Sequence, residues 1–158
     1  MSKNPWWDHD PPWLQVVPDE SLIPARQALP PSGSIYAARM HGGEMGDVDG
    51  VFSQFYETFK LPDYFGWNWN ALYDCLSDLN WISATRYLLI IEDSEKILSG
   101  YPEERSEFFR TLLRSAEDWA RRPNFPGRTR SAFHALFLCS SEACDALKRE
   151  IGRAPGSE

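Results

Sequence analysis

Two short, mainly apolar runs constrain the fold of this chain more than any other feature. The runs are Tyr87–Ile91 and Phe133–Cys139, and each lies between polar residues or turn signals. Strands that are buried on both faces have this pattern, because neither face alternates with polar side chains. Between the runs, apolar residues recur at helical spacing from Pro102 to Arg121. A strand, a helix and a second strand in this order predict a parallel sheet.

The remaining segments fit the same architecture. Residues 34–41 favour a strand, and helical patterns occur on both sides of Pro62 and after Ser141. We therefore predict an α/β domain over residues 34–152, with a small, mainly parallel three-stranded sheet packed with helices. Residues 1–33 contain seven of the twelve prolines and three of the seven tryptophans, so we predict an extended N-terminal arm there. Residues 153–158 are predicted to be a tail.

Composition limits the possible partners and the compartment. The net charge is −7 and the pI is about 5.0, so the protein should repel nucleic acid and anionic membranes and attract basic proteins. Three cysteines without framework spacing indicate thiols in a reducing compartment. No signal peptide or membrane span is evident at the sequence level. We expect a cytoplasmic monomer.

The most informative segment lies at the centre of the chain. Pro62 and Gly66 disfavour a continuous helix through residues 61–67, and Asn68 is a suitable N-cap for one that follows. An apolar stripe then recurs at three- and four-residue spacing, formed by Leu72, Cys75, Leu76 and Leu79. The opposite side carries a polar stripe at four-residue spacing, formed by Asn70, Asp74 and Asp78, with Tyr73 and Ser77 beside it. This pattern predicts a helix that buries leucines and displays carboxylates.

The run Leu61-Pro-Asp-Tyr-Phe-Gly-x-Asn-x-Asn-Ala-Leu-Tyr-Asp-Cys-Leu76 resembles the signature of the barstar-like family, whose members are intracellular inhibitors of ribonucleases such as barnase. The order of elements is similar from about Ser34 to Cys139, and the likeness is sharpest over residues 61–81. The segment Asp78-Leu-Asn-Trp81 is similar to the form common in the wider family. The resemblance implies that an acidic helix and the loop before it enter the active site of a nuclease.

By position, the resemblance implies loop contacts from Tyr64 and Asn68, an aromatic contact from Tyr73 and the main acidic anchor at Asp74. Asn70 stands where barstar has a second carboxylate, and Asp78 stands where it has glycine, so charge has moved one turn along the helix. A further acidic contact has Glu117 and Asp118 as candidates. The complete predicted partner-binding site consists of Tyr64, Asn68, Asn70, Tyr73, Asp74, Ser77, Asp78 and Trp81.

The residue types suit this mechanism independently of the family. A ribonuclease site binds phosphate with basic side chains, so a carboxylate on a rigid helix can take the place of the phosphate. The aromatic residues around the acids supply area of the kind found in interface hot spots: Tyr64, Phe65, Trp67, Trp69 and Tyr73. We expect a ribonuclease inhibitor or toxin-immunity protein that has no catalytic residue, cofactor or metal of its own.

Two other functions remain open. The protein could be an immunity or interaction module of the same fold whose partner is not a ribonuclease. It could also be a small hydrolase that uses Asp74 and Asp78 as acid and base. A metal site at Asp8-His9-Asp10 is disfavoured because no complementary cluster accompanies it, and Cys75 is predicted to be an inert thiol on the apolar side of its helix.

Overall fold

The computed structural model describes residues 13–18, 35–84, 86–121 and 132–153. Its centre is a sheet of four parallel strands in the spatial order β1-β4-β3-β2. The strands are β1 (Leu14–Pro18), β2 (Ile35–His41), β3 (Arg86–Glu92) and β4 (Ala132–Cys139). The two apolar runs form the two central strands, as their composition predicts.

In the described residues, four α-helices connect or follow these strands: α1 (Val48–Thr58), α2 (Trp69–Asp78), α3 (Pro102–Arg121) and α4 (Ser141–Arg153). Short 3-10 turns lie at Gly42–Glu44 and Ser94–Lys96. This arrangement confirms the predicted α/β class with a parallel sheet. None of the helices in the described ranges has the length and apolar character needed to cross a membrane.

The prediction of three strands was wrong, because β1 is a fourth strand. It lies within the segment that we predicted to be an arm, and its register pairs Leu14 with Ala135 and Pro18 with Cys139. The prolines that surround it argued against a ladder, but an edge strand that bonds on one side tolerates proline at its end. Residues 1–12 and 19–33 of the predicted arm, the segment 122–131 and the tail 154–158 lie outside the described residues.

The central strands β3 and β4 are buried on both faces. Alternate side chains of β3 point to opposite faces, so Leu89 lies in the main core, and Leu88 and Ile90 lie in a smaller cluster with Leu136 and Leu138. The helices pack on the main core, where the largest completely buried side chains include Phe55, Phe59, Phe108, Phe109, Phe133 and Phe137. A largely aromatic layer therefore joins the helices to the sheet.

The position of α3 is fixed at its start by a buried arginine. The Arg105 side chain donates hydrogen bonds to the Glu150 carboxylate on α4 and to the Ile97 carbonyl, and its guanidinium lies 5.4 Å from the centre of the Phe109 ring. A buried arginine is tolerated only when its donors are satisfied. These bonds hold α3 against both α4 and the turn after β3.

The fourth strand generates a prediction about backbone pairing. The Ala135 N–H donates to the Trp13 carbonyl at 2.9 Å, so the N–H of Val17 points to β4 and that of Val16 points away. Because only Val17→Pro removes a ladder hydrogen bond, it should lower the free energy of unfolding by about 1–3 kcal/mol more than Val16→Pro does. Urea unfolding of both variants measures this difference. Equal effects would contradict the pairing of β1 with β4.

Candidate protein-binding site

The loop Leu61–Asn68 brings the chain from α1 to α2 and exposes two aromatic rings. Leu61 and Phe65 are buried and anchor the loop in the core, and the Phe65 N–H donates to the Pro62 carbonyl at 3.0 Å. Tyr64, which lies between these two anchors, is 76% exposed, and Trp67, which lies between Phe65 and α2, is 46% exposed. The loop therefore presents aromatic surface directly before the helix.

Trp67 adds to this surface a residue that the predicted site did not include. Its backbone has a positive φ of 57°, which is uncommon for a bulky residue. Its ring packs against those of Tyr56 and Phe65, with centroids 5.5 and 5.4 Å apart. These contacts hold a large exposed ring in one place. The aromatic composition of the loop was a signal for this role, but sequence alone did not separate Trp67 from its buried neighbours.

Asn68 is the N-cap of α2, as predicted. Its side-chain oxygen accepts a hydrogen bond from the Ala71 N–H at 2.8 Å, and its amide nitrogen donates to the Gly66 carbonyl at 3.1 Å. One side chain thus satisfies a donor at the helix start and closes the loop before it. The contact with a partner that the resemblance implies for Asn68 stays a prediction, and its amide already has these two internal bonds.

One side of α2 is apolar and buried and the other is polar and exposed, as the spacing predicts. Leu72, Cys75 and Leu76 are buried, while Asn70, Asp74 and Asp78 are exposed. Burial raises the pKa of the Cys75 thiol, and the nearby charges of Asp74 and Asp78 raise it further. Cys75 therefore stays a neutral thiol, which is consistent with its predicted inertness.

Leu79 ends α2 in a left-handed conformation with φ of 50°. Glycine is the usual residue at such a position, because a side chain there costs about 1–2 kcal/mol. The Leu79 side chain is completely buried in the main core, which contributes about 1.5–3 kcal/mol. Burial thus offsets the backbone strain and fixes where the acidic helix stops.

The acidic residues of α2 do not stabilise the helix that carries them. Asp78 is its last residue, at the negative end of the helix dipole, and Asp74 is a like charge one turn before it. The first turn has no acidic residue and the last turn has no basic residue. Within the described parts of the chain, neither carboxylate forms an ion pair. Both charges are exposed and available to a partner.

Several hydrogen bonds join α2 to the long helix α3 behind it. At the start of α2, the Trp69 indole donates to Glu104 at 2.7 Å. At its end, the Trp119 indole donates to the Leu76 carbonyl at 2.8 Å and satisfies one of the last carbonyls of the helix. Tyr73, between them, donates its hydroxyl to the Asp118 carboxylate. These contacts hold α2 along its whole length.

Trp81 has an internal role in the structure. It is partly buried, packs against the main core and donates its indole N–H to the Phe59 carbonyl at 2.9 Å. Its predicted contact with a partner stays a prediction. The structure places the other residues of the predicted site on the loop and on α2: Tyr64 on the loop, Asn68 at the helix start, Asn70, Asp74 and Asp78 on the exposed side of α2, and Tyr73 and Ser77 toward α3. Their contact with a partner also stays a prediction.

The described residues contain no group of three or more His, Cys, Asp or Glu side chains that could hold a metal ion. The Asp8-His9-Asp10 segment lies outside them. What the described site offers chemically is therefore a rigid surface of carboxylate, amide and aromatic groups. Such a surface can bind a basic protein.

Comparison with known families gives one match. Residues 35–138 match the family model described as "Barstar (barnase inhibitor)". The matched range includes the loop, α2 and α3, and it excludes β1 and α4. Comparison with curated proteins finds no match.

The placement of the acids predicts an unusual effect on stability. Replacing Asp78 by Asn removes a charge at the wrong end of α2 and its repulsion with Asp74, so the free energy of unfolding should rise by about 0.3–1 kcal/mol at low salt. Asp49→Asn is the matched control, because Asp49 is exposed in the first turn of α1, where an acid is favourable. That variant should lose stability by a similar amount.

Thermal or urea unfolding at low and high salt measures both changes, which should shrink as salt screens the charges. A loss of stability in Asp78→Asn would contradict the view that this acid is unfavourable to its own helix.

Proposed function

Since more than half of its 158 residues match the family model, the chain belongs to the barstar family, and we propose that it binds a small basic ribonuclease and blocks its active site. The blocking elements are the loop Leu61–Asn68 and helix α2. Inhibition needs no bond to be made or broken by this chain. It requires only that the acidic surface occupy the place of the RNA.

The observation that carries this proposal is the unpaired acidic stripe on a rigidly held helix. Asp74 and Asp78 are exposed, lack an ion pair among the described residues and stand where they weaken α2. A charge arrangement that costs stability is expected where a partner supplies the compensating charge. The Arg, Lys or His side chains that hold phosphate in a ribonuclease are such partners.

We assign the main anchor to Asp74, at the middle of the exposed side, because flanking groups there can exclude water from the contact. Desolvated, charge-assisted hydrogen bonds are about twice as strong as neutral ones. Tyr64 and Trp67 supply aromatic area on the loop side, and Asp78 supplies a second charge one turn further along. The net charge of −7 speeds the encounter with a basic protein.

Asn70 gives the surface its own selectivity in this proposal. An amide both donates and accepts hydrogen bonds, so Asn70 suits a neutral polar group of the partner, whereas a carboxylate at this position would suit a cation. With Asp78 one turn beyond Asp74, the preferred partner has its second basic group near the end of α2. Toxin immunity is the corresponding biological role if that ribonuclease is a toxin.

A partner that is not a ribonuclease is compatible with the same surface, and the assay below separates the two. No observation on the described residues favours a hydrolase. A catalytic acid and its base need two different environments, whereas Asp74 and Asp78 are both exposed on one side of one helix.

Titration of the purified protein into barnase and other small basic ribonucleases, with RNA cleavage as the readout, tests the proposal. We expect stoichiometric inhibition of at least one enzyme that weakens at high salt. Asp74→Asn should weaken this inhibition by about 30-fold or more, the loss that corresponds to a hot-spot residue. Asp145→Asn is the matched control, because Asp145 is exposed on α4 and its replacement changes the net charge equally.

The control should retain nearly full inhibition. Equal losses in Asp74→Asn and Asp145→Asn would contradict a specific acidic anchor, and no inhibition across the panel would contradict a ribonuclease target. Tight binding without inhibition would support an interaction module. Hydrolysis of a phosphoester by the protein alone would support an enzyme.

A further inference from the structure

Four side chains form a cluster between α2 and α3, and we call it the Tyr73 cluster. Tyr73 and Ser77 lie one turn apart on α2, and Arg114 and Asp118 lie one turn apart on α3. Residues at this spacing occupy the same side of a helix, so each helix presents a matched pair to the other. All four side chains are partly exposed.

The contacts within the Tyr73 cluster restrain the phenol in two ways. Its hydroxyl donates to the Asp118 carboxylate, and the Ser77 hydroxyl donates to the same carboxylate oxygen at 3.3 Å. The Arg114 guanidinium carbon lies 4.4 Å from the centre of the Tyr73 ring, at a distance typical of a cation–π contact. One contact fixes the end of the side chain and the other fixes the face of its ring.

We infer that Asp118 is a positioning residue that holds the Tyr73 ring in the orientation that the partner meets, and that it is not itself a partner contact. This inference rests on the proposed function. A ring that is already ordered loses less conformational freedom on binding, so its contacts yield more affinity. The carboxylate of Asp118 already accepts two hydrogen bonds within the chain.

The resemblance leaves two candidates, Glu117 and Asp118, for a further acidic contact on α3. Asp118 acts through Tyr73, and only Glu117 retains the role of a direct acidic contact on α3. The two are neighbours, yet only Asp118 is bonded to α2. Glu117 is therefore a natural control for changes at Asp118.

The state of the Tyr73 phenol can be followed without any partner. The hydrogen bond to Asp118 raises the pKa of Tyr73, burial and the charge of Asp118 add to the rise, and Arg114 and Ser77 oppose it. A raised pKa in the folded state gives stability that is present below the ordinary value of about 10 and is lost as pH rises through the higher folded value. Tyr73→Phe removes this alkaline component.

The first experiment is an NMR titration of the protein with ¹³C-labelled tyrosines. The pKa of the Tyr73 phenol should lie above its ordinary value in the wild type and in Glu117→Ala. In Asp118→Ala this pKa should be lower. Asp118→Asn keeps a hydrogen-bond acceptor but loses the charge, so the Tyr73 pKa in this variant should lie between those in the wild type and in Asp118→Ala. An unchanged Tyr73 titration in Asp118→Ala would overturn the inference whatever the partner is.

The second experiment is a double-mutant cycle of binding to barnase, or to another basic ribonuclease that the protein inhibits. With Tyr73 present, Asp118→Ala should weaken binding by about 2- to 12-fold, which corresponds to one side chain that must be ordered. In the Tyr73→Phe background, which lacks the hydroxyl, the same change should have almost no effect.

Equal losses in both backgrounds would overturn the inference, because Asp118 would then contact the partner directly or act only on the fold. Circular dichroism and unfolding curves of each variant identify a general loss of structure, and Tyr73→Phe breaks the same bond from the side of α2. Failure of the wild type to bind any ribonuclease would count against the proposed function, and the NMR titration would still decide the role of Asp118.

Discussion

The packing of α2 against α3 is the interaction on which the rest of the site depends. With ten residues, α2 is shorter than the roughly 12–15 residues at which an isolated helix becomes even marginally stable in water. Its exposed side contributes repulsion and an unfavourable charge at its end. The helix is therefore maintained by its N-cap, by its buried leucines and by the hydrogen bonds that Trp119 and Asp118 of α3 make with it.

This dependence explains why so much of the domain supports one short element. Arg105 ties α3 to α4 and to the turn after β3, and the aromatic layer joins the helices to the sheet. Leu79 accepts a strained backbone and anchors the end of α2 by burial. Rigid support allows a surface to keep charges that would loosen an unsupported helix, and a rigid surface loses little entropy when it binds.

Local patterns predicted the elements whose signals are contained in a few consecutive residues. The apolar runs identified β3 and β4, and Asn68 followed by a stripe of leucines identified the start and the buried side of α2. The edge strand β1 was missed because its five residues lie among prolines, and its pairing depends on β4, more than a hundred residues away. Contacts such as Tyr73 with Asp118 and Trp81 with Phe59 join distant residues. Spacing along the chain therefore did not predict them, nor did it predict that Trp67 is exposed and Trp81 partly buried.

A map of the surface that a partner covers tests most directly whether the loop and α2 form the binding site. ¹⁵N–¹H NMR spectra of the labelled protein, recorded as a small basic ribonuclease that it inhibits is added, provide such a map. Amide signals should shift mainly in the loop Leu61–Asn68, in α2 and in the facing part of α3, while those of β1 and α4 stay in place. Shifts centred on β1 or α4, with α2 unaffected, would contradict binding through α2.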